Sequence, residues 1–67
     1  MATIDARGMR CPWPAIRLAR ALRDGAGAVT IYADDPAAQD ELDAVAKAAG
    51  RRLRRCSEHP MPVFCIE

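Results

Sequence analysis

One cysteine in this chain stands where sulfur becomes reactive. Cys11 follows the loop Ala6-Arg7-Gly8-Met9-Arg10 and opens the segment Cys11-Pro12-Trp13-Pro14. A thiol is a nucleophile only as thiolate, and it reaches that form most easily beside cations or at a helix N-terminus. The prolines suit the first turn of a helix, where a missing N–H leaves no bond unmade. Cys11 is therefore expected at about the N-cap, with the helix running from Pro12 to about Arg23. The free N–H groups and positive dipole end there, with Arg10 adjacent and Arg7 in the same loop, predict a depressed thiol pKa. Gly8 gives the loop a backbone freedom that other residues lack. Pro12 and Pro14 stiffen the turn, and Trp13 is too large to be hidden within it, so the expected site is a rigid, partly exposed thiolate with an apolar rim. A Cys-x-x-Cys dithiol is missing from this loop. The one histidine, His59, lies far along the chain in a proline-flanked turn, and nothing in the sequence brings it beside Cys11 as a general base. A lone thiolate of this kind carries groups: an acyl group, a disulfide partner, or a sulfur atom as persulfide.

The elements that must position this thiol can be read from periodicity. Ala2-Thr3-Ile4-Asp5 predicts a short strand. Ala15, Leu18, Ala19 and Leu22 recur at the spacing of one buried helical stripe, while Arg17, Arg20 and Arg23 form a solvated face. Asp24-Gly25-Ala26-Gly27 ends that helix. From Ala28 to Ala33 the pattern alternates, with Val29 and Ile31 on one face and Thr30 and Tyr32 on the other, which predicts a strand. Asp34-Asp35-Pro36 repeats the helix-start signal, an acidic cap before proline at the first helical position. Leu42, Val45, Ala46 and Ala49 then recur at helical spacing up to Gly50. Arg51–Ser57 and Val63–Glu67 read as a hairpin around a turn at 59–62. In that register Cys56 faces Cys65 directly, as plain strand thiols or, alternatively, as an easily reduced cross-strand disulfide, and Leu53, Phe64 and Ile66 point to the helices. The fold class is α/β, an α+β two-layer sandwich of order βαβαββ. Two helices pack on one face of a four-stranded mixed sheet, whose first two strands are parallel through a right-handed crossover.

Size and charge bound what this site can do. The chain has 67 residues and reads as a single domain, 1–67. It is 51% hydrophobic, but much of that is alanine. The bulky core formers are Ile4, Ile16, Leu18, Leu22, Val29, Ile31, Leu42, Val45, Leu53, Val63, Phe64 and Ile66, enough for one thin core and no deep substrate cavity. Ten basic against nine acidic groups give +1, so no global field draws the chain to nucleic acid or anionic lipid. No apolar run reaches the length of a membrane span, and the N-terminus lacks a signal-peptide pattern. Three cysteines form no even disulfide framework, which predicts free thiols and a cytoplasmic location. No cofactor or metal site is expected; Cys56, Cys65 and His59 are too few for a closed zinc site.

Ile4-Asp5-Ala6-Arg7-Gly8-Met9-Arg10-Cys11-Pro12-Trp13-Pro14 resembles the N-terminal signature of the TusA/SirA-type sulfur-carrier proteins: a short strand, a glycine-containing loop, then C-P-x-P at a helix start. The resemblance extends to Asp34-Asp35-Pro36 and to the βαβαββ order. It implies a sulfur relay in which Cys11 accepts sulfane sulfur from a cysteine desulfurase or a rhodanese-like donor. The persulfide then passes to an acceptor protein with a reactive cysteine, of the DsrE/TusD-like kind. It also implies service to tRNA thiolation, molybdenum-cofactor biosynthesis or sulfur oxidation, as a transferase component rather than a stand-alone enzyme. Arg7, Gly8, Arg10, Pro12, Trp13 and Pro14 would support the thiolate. Trp13 between the prolines, and the extra Cys56 and Cys65, depart from the family pattern.

Two other classes compete. A nucleic-acid or protein-binding module would use the run Arg51-Arg52-Leu53-Arg54-Arg55, although three aromatics make a poor base-stacking platform. A thiol-redox module would need Cys11 close to Cys56 or Cys65, a proximity the sequence does not establish.

Overall fold

Alternation along residues 29–32 places Val29 and Ile31 in the interior and leaves Thr30 and Tyr32 half-buried on the opposite face. The sheet is built around this strand. A computed structural model of the protein describes residues 2–58 and 62–67. In chain order the elements are β1 (Ala2–Asp5), α1 (Trp13–Arg23), β2 (Val29–Tyr32), α2 (Ala38–Ala48), β3 (Leu53–Ser57) and β4 (Val63–Ile66). The sheet order is β1-β2-β4-β3, with β1 parallel to β2 and the other pairs antiparallel. The expected two-layer βαβαββ architecture is observed. The expected turn at 59–62 falls largely outside the described residues, and His59 with it.

The core is made where the helices cover one sheet face. Ile4, Val29, Ile31, Phe64 and Ile66 from the sheet meet Leu18 from α1 and Ala38, Leu42 and Ala46 from α2. Small residues let the helices approach closely; large ones fill the gaps. Two helical details differ from the expected stripe. Pro14 and Leu18 are the buried residues of α1, with Ala21 and Leu22 packed against the core, whereas Ala19 is exposed. Ile16 is 48% exposed and lies outside the core. Both follow from Pro14 being buried, which turns the stripe toward positions 14, 18, 21 and 22.

The hairpin also departs from the expected register. Cys65 lies opposite Arg54, Phe64 opposite Arg55 and Val63 opposite Ser57, with the register shift at Cys56 between Arg55 and Ser57. Cys56 is therefore the extra residue of a β-bulge rather than the direct partner of Cys65. The bulge still brings the two together: their Cα atoms are 6.1 Å apart and a disulfide joins them. Only Cys11 is free among the described cysteines, which corrects the expectation of three free thiols. Cross-linking positions nine residues apart restricts the unfolded chain, so opening the bridge with reductant is expected to lower stability by about 2–3 kcal/mol. Urea unfolding with and without reductant measures this, and coincident midpoints would contradict it.

The arginine run is divided between structure and solvent. Arg51 donates to the backbone carbonyls of Ala26, Gly27 and Glu67, tying the α1–β2 connection to the C-terminus. Arg55 lies 5.7 Å from the Phe64 ring centroid and bonds Gln39 of α2 and Glu58. Arg54 pairs with Glu67, and Arg52 is exposed. Two of the four cations offered as a nucleic-acid surface, Arg51 and Arg55, are thus engaged within the fold.

Candidate functional site

Parallel β1 and β2 deliver their following loops to the same end of the sheet, beyond the strands' C-terminal ends, the place where open α/β sheets build their sites. The loop after β1 carries Cys11, and the loop after β2 carries Asp34 and Asp35. Their meeting organises the site. The backbone N–H of Gly8 donates to Asp34 Oδ1 at 3.0 Å and lies 3.2 Å from Oδ2. The backbone N–H of Cys11 donates to Asp35 Oδ2 at 2.6 Å, while Asp35 Oδ1 accepts the N–H of Ala37 at 3.1 Å. Gly8 makes its contact at φ 79°, in the left-handed region where a side chain would be strained. The acidic pair does not simply cap α2, as expected. That helix begins at Ala38 with Ala37 as N-cap, so Pro36 precedes it and the carboxylates are free to tether the Cys11 loop. Residues 8–11 and 34–36 line an open cleft of about 530 Å³.

Cys11 is exposed but lies one residue before the N-cap, not at the N-cap as expected from sequence. The N-cap of α1 is Pro12, reached through a cis Cys11–Pro12 peptide, and the helix starts at Trp13. The expected stabilisation of a thiolate by first-turn N–H groups is not found, and the prolines are the reason. Pro12 and Pro14 have no N–H, and the Trp13 N–H is occupied by the Arg10 carbonyl at 2.8 Å. The Cys11 thiol instead donates to Glu41 Oε2, in the first turn of α2. That hydrogen bond holds the proton on sulfur, partial desolvation adds to it, and the charges of Glu41 and Asp35 oppose the anion. The thiol pKa is accordingly raised above its ordinary value, the reverse of the sequence-based expectation.

The two loop arginines are also placed differently from expectation. Arg7 forms a bidentate pair with Asp5, at 2.8 Å from Nε to Oδ1 and 2.7 Å from Nη2 to Oδ2, and lies 6.0 Å from the Tyr32 ring centroid. It therefore organises the end of β1 and does not enter the thiol's electrostatics. Arg10 is exposed and acts on the Asp35 carboxylate. Trp13 is 58% exposed beside Cys11, with Ile16 one turn further along α1, which gives the apolar rim expected for the site. Pro14 is buried and seats the start of α1 on the core. Cys56 and Cys65 are not brought to Cys11. They belong to β3 and β4, with β3 at the opposite edge of the sheet from β1.

Asp34, Asp35 and Glu41 were not identified as site residues from sequence. The available signal was topological: in a β-α-β-α chain with parallel strands, the second helix start must lie beside the first. A carboxylate in its first turn, favoured there by the helix dipole, then faces the Cys11 loop.

The acidic tethers give the site a pH dependence. The Arg7 side chain and backbone N–H hold Asp5 down at about 2. The N–H groups of Ala37 and Cys11, in that order, lower Asp35. Both folded values lie below the unfolded ones, so the stabilisation is complete above about pH 4. It is lost as pH falls through the folded values. Amide resonances of Arg7 and Cys11, followed by NMR from pH 5 downward, are expected to shift together with these carboxyls. Titration of either amide at the ordinary carboxylate pH would overturn the assignment.

A family model described as "Sulfurtransferase TusA" matches residues 2–66 of the sequence. This chain belongs to the TusA sulfurtransferase family. Membership assigns it, in general terms, a sulfur-carrier role that works with sulfur donors and acceptors. Among solved structures, the chain is similar to the crystal structure of a SirA-like protein from Desulfitobacterium hafniense. The two share 29% sequence identity at a TM-score of 0.86, over 98% of this chain and 93% of that one. The TusA/SirA resemblance read from Ile4–Pro14, Asp34-Asp35-Pro36 and the βαβαββ order thus holds at the level of the family model through the hairpin. No curated protein matches the sequence. Among the described residues, no helix is long and apolar enough to cross a membrane.

Proposed function

We propose that Cys11 carries sulfane sulfur as a persulfide, received from a cysteine desulfurase or rhodanese-like donor and passed to the reactive cysteine of a DsrE/TusD-like acceptor. The observation that carries this reading is the placement of the one free, exposed thiol at the C-P-x-P segment of a TusA-family chain. The surroundings suit a carrier. The cleft beside Cys11 is open, so a partner's cysteine can approach the sulfur. A persulfide is a stronger acid than a thiol, so it tolerates an acidic neighbourhood that keeps the empty carrier protonated. Trp13 and Ile16, with Arg17 and Arg20 on the same helix, offer a partner apolar contact edged by positive charge. The relay is placed in the cytoplasm, feeding tRNA thiolation, molybdenum-cofactor biosynthesis or sulfur oxidation.

Intact-protein mass spectrometry tests the reading directly. After incubation with a desulfurase and cysteine, or a rhodanese and thiosulfate, the chain is expected to gain one sulfur atom that reductant removes. Absence of that gain with both donors would overturn the proposal.

A further inference from the structure

Glu41 is positioned at a cost that the packing does not explain. Its Oε2 accepts the Cys11 thiol, while Oε1 is buried with no hydrogen-bond partner among the described residues. A purely structural side chain here would be better neutral, since a buried carboxylate oxygen left unsatisfied is unfavourable. The contact also joins α2 to the α1 loop across the open cleft, directly at the reacting atom.

We propose that Glu41 is the proton acceptor and donor of the carrier thiol, taking the Cys11 proton when sulfur is loaded and returning it when sulfur leaves. This rests on the carrier reading. In loading, the thiol proton moves to the Glu41 carboxylate and the Cys11 thiolate attacks the outer sulfur of the donor persulfide. A Cys11 S–S bond forms, the donor S–S bond breaks, and the electron pair stays on the donor sulfur, which departs as thiolate. Glu41 is now a neutral acid that can donate to the persulfide. In unloading, the acceptor's thiolate attacks the outer sulfur, Cys11 leaves as thiolate, and Glu41 returns the proton. The sulfane sulfur changes hands with no net oxidation. Between cycles the thiol is kept protonated and slow to react with adventitious oxidants.

The charged groups around the pair are already committed. Asp35, from the β2–α2 loop, accepts the Cys11 and Ala37 N–H groups. Asp34 receives the Gly8 N–H, and Arg10 acts on Asp35. Arg7 is held by Asp5, and Arg17 of α1 reaches the Met9 sulfur. Glu41 is therefore the carboxylate bonded to the thiol itself.

The test is the pH profile of Cys11 alkylation by iodoacetamide, with the modified residue identified by peptide mass. Wild type, Glu41→Gln and Glu41→Ala are compared, with thermal melts confirming that each variant is folded. Both substitutions are expected to move the profile to lower pH. Each unit of movement raises the thiolate fraction tenfold but lowers intrinsic nucleophilicity, so alkylation at neutral pH should rise about threefold per unit. Should the variants not fold, the wild-type protein provides the second measurement: at fixed neutral pH the side-chain carboxyl carbon resonance of Glu41 should shift once Cys11 is alkylated, because the thiol can no longer donate to it. Superimposable profiles in folded variants, or a Glu41 resonance indifferent to alkylation, would overturn the proposal. No sulfur donor is used in either measurement. A shifted profile in a chain that takes up no sulfur would retire the carrier reading and with it the loading step, leaving only the Cys11–Glu41 contact, whereas normal loading with an unshifted profile would retire the role of Glu41 alone.

Discussion

A Cys11→Ser chain is expected to take up no sulfur, whereas Cys56→Ser and Cys65→Ser chains are expected to load largely as the wild type does. The first effect is complete loss, because a serine oxygen cannot form the S–S bond that defines the carried species. The substitution should cost little stability, since Cys11 is exposed and its tether to Asp35 uses the backbone N–H rather than the side chain. Loss of loading can then be assigned to chemistry and not to unfolding. The other two cysteines occupy the hairpin and are bonded to each other, with β3 at the far edge of the sheet from the Cys11 loop. Removing either one disturbs a cross-link, not Cys11. Intact mass after donor treatment, read beside a thermal melt, separates the three variants. Equal loss in all of them would show that sulfur is shared among the cysteines and would sink the assignment of Cys11.

Phe64→Ala is expected to be the most damaging core substitution, at about 3–5 kcal/mol. Phe64 is 2% exposed and among the largest fully buried side chains of the core. It lies opposite Ile31 on the central strand β2 and beneath the Arg55 guanidinium, which also reaches α2. Truncation would therefore leave a cavity between sheet and helices and remove the surface on which Arg55 rests. A domain of this length has total stability of roughly 3–10 kcal/mol, so the variant should be largely unfolded or nearly so at ambient temperature. Phe64→Leu keeps most of the volume and should lose far less. Urea unfolding followed by circular dichroism measures both, and near-equal midpoints would show that the core does not depend on this ring.

How much of this was legible in the sequence depends on the range of the interactions involved. The strand at 29–32, the two helices, and the burial of Leu18, Leu42, Ile31 and Phe64 follow from periodicity within a few turns of chain. The family resemblance also lay in contiguous residues, with Cys11 placed between an Arg-Gly loop and a pair of prolines. The extra residue at Cys56 was not legible, because a bulge is decided by how two strands pair and not by either strand alone. The division of the arginine run was equally hidden. Arg51 and Arg55 look like their neighbours until the carbonyls of Ala26 and Gly27 and the ring of Phe64 are set against them.

The sequence by itself determined the fold, the family and the one thiol on which the chemistry is proposed to rest, because local pattern and contiguous motif suffice for each. Tertiary structure alone decided the state of that thiol. Local reasoning supplied a helix end and two arginines, all favouring the anion. Folding gives Arg7 to Asp5, occupies the Trp13 N–H with the Arg10 carbonyl, and brings Glu41 from thirty residues away to receive the sulfur's proton. An ionisation equilibrium responds to whatever charge stands within a few ångströms, and in this chain the nearest such charge comes from the other helix.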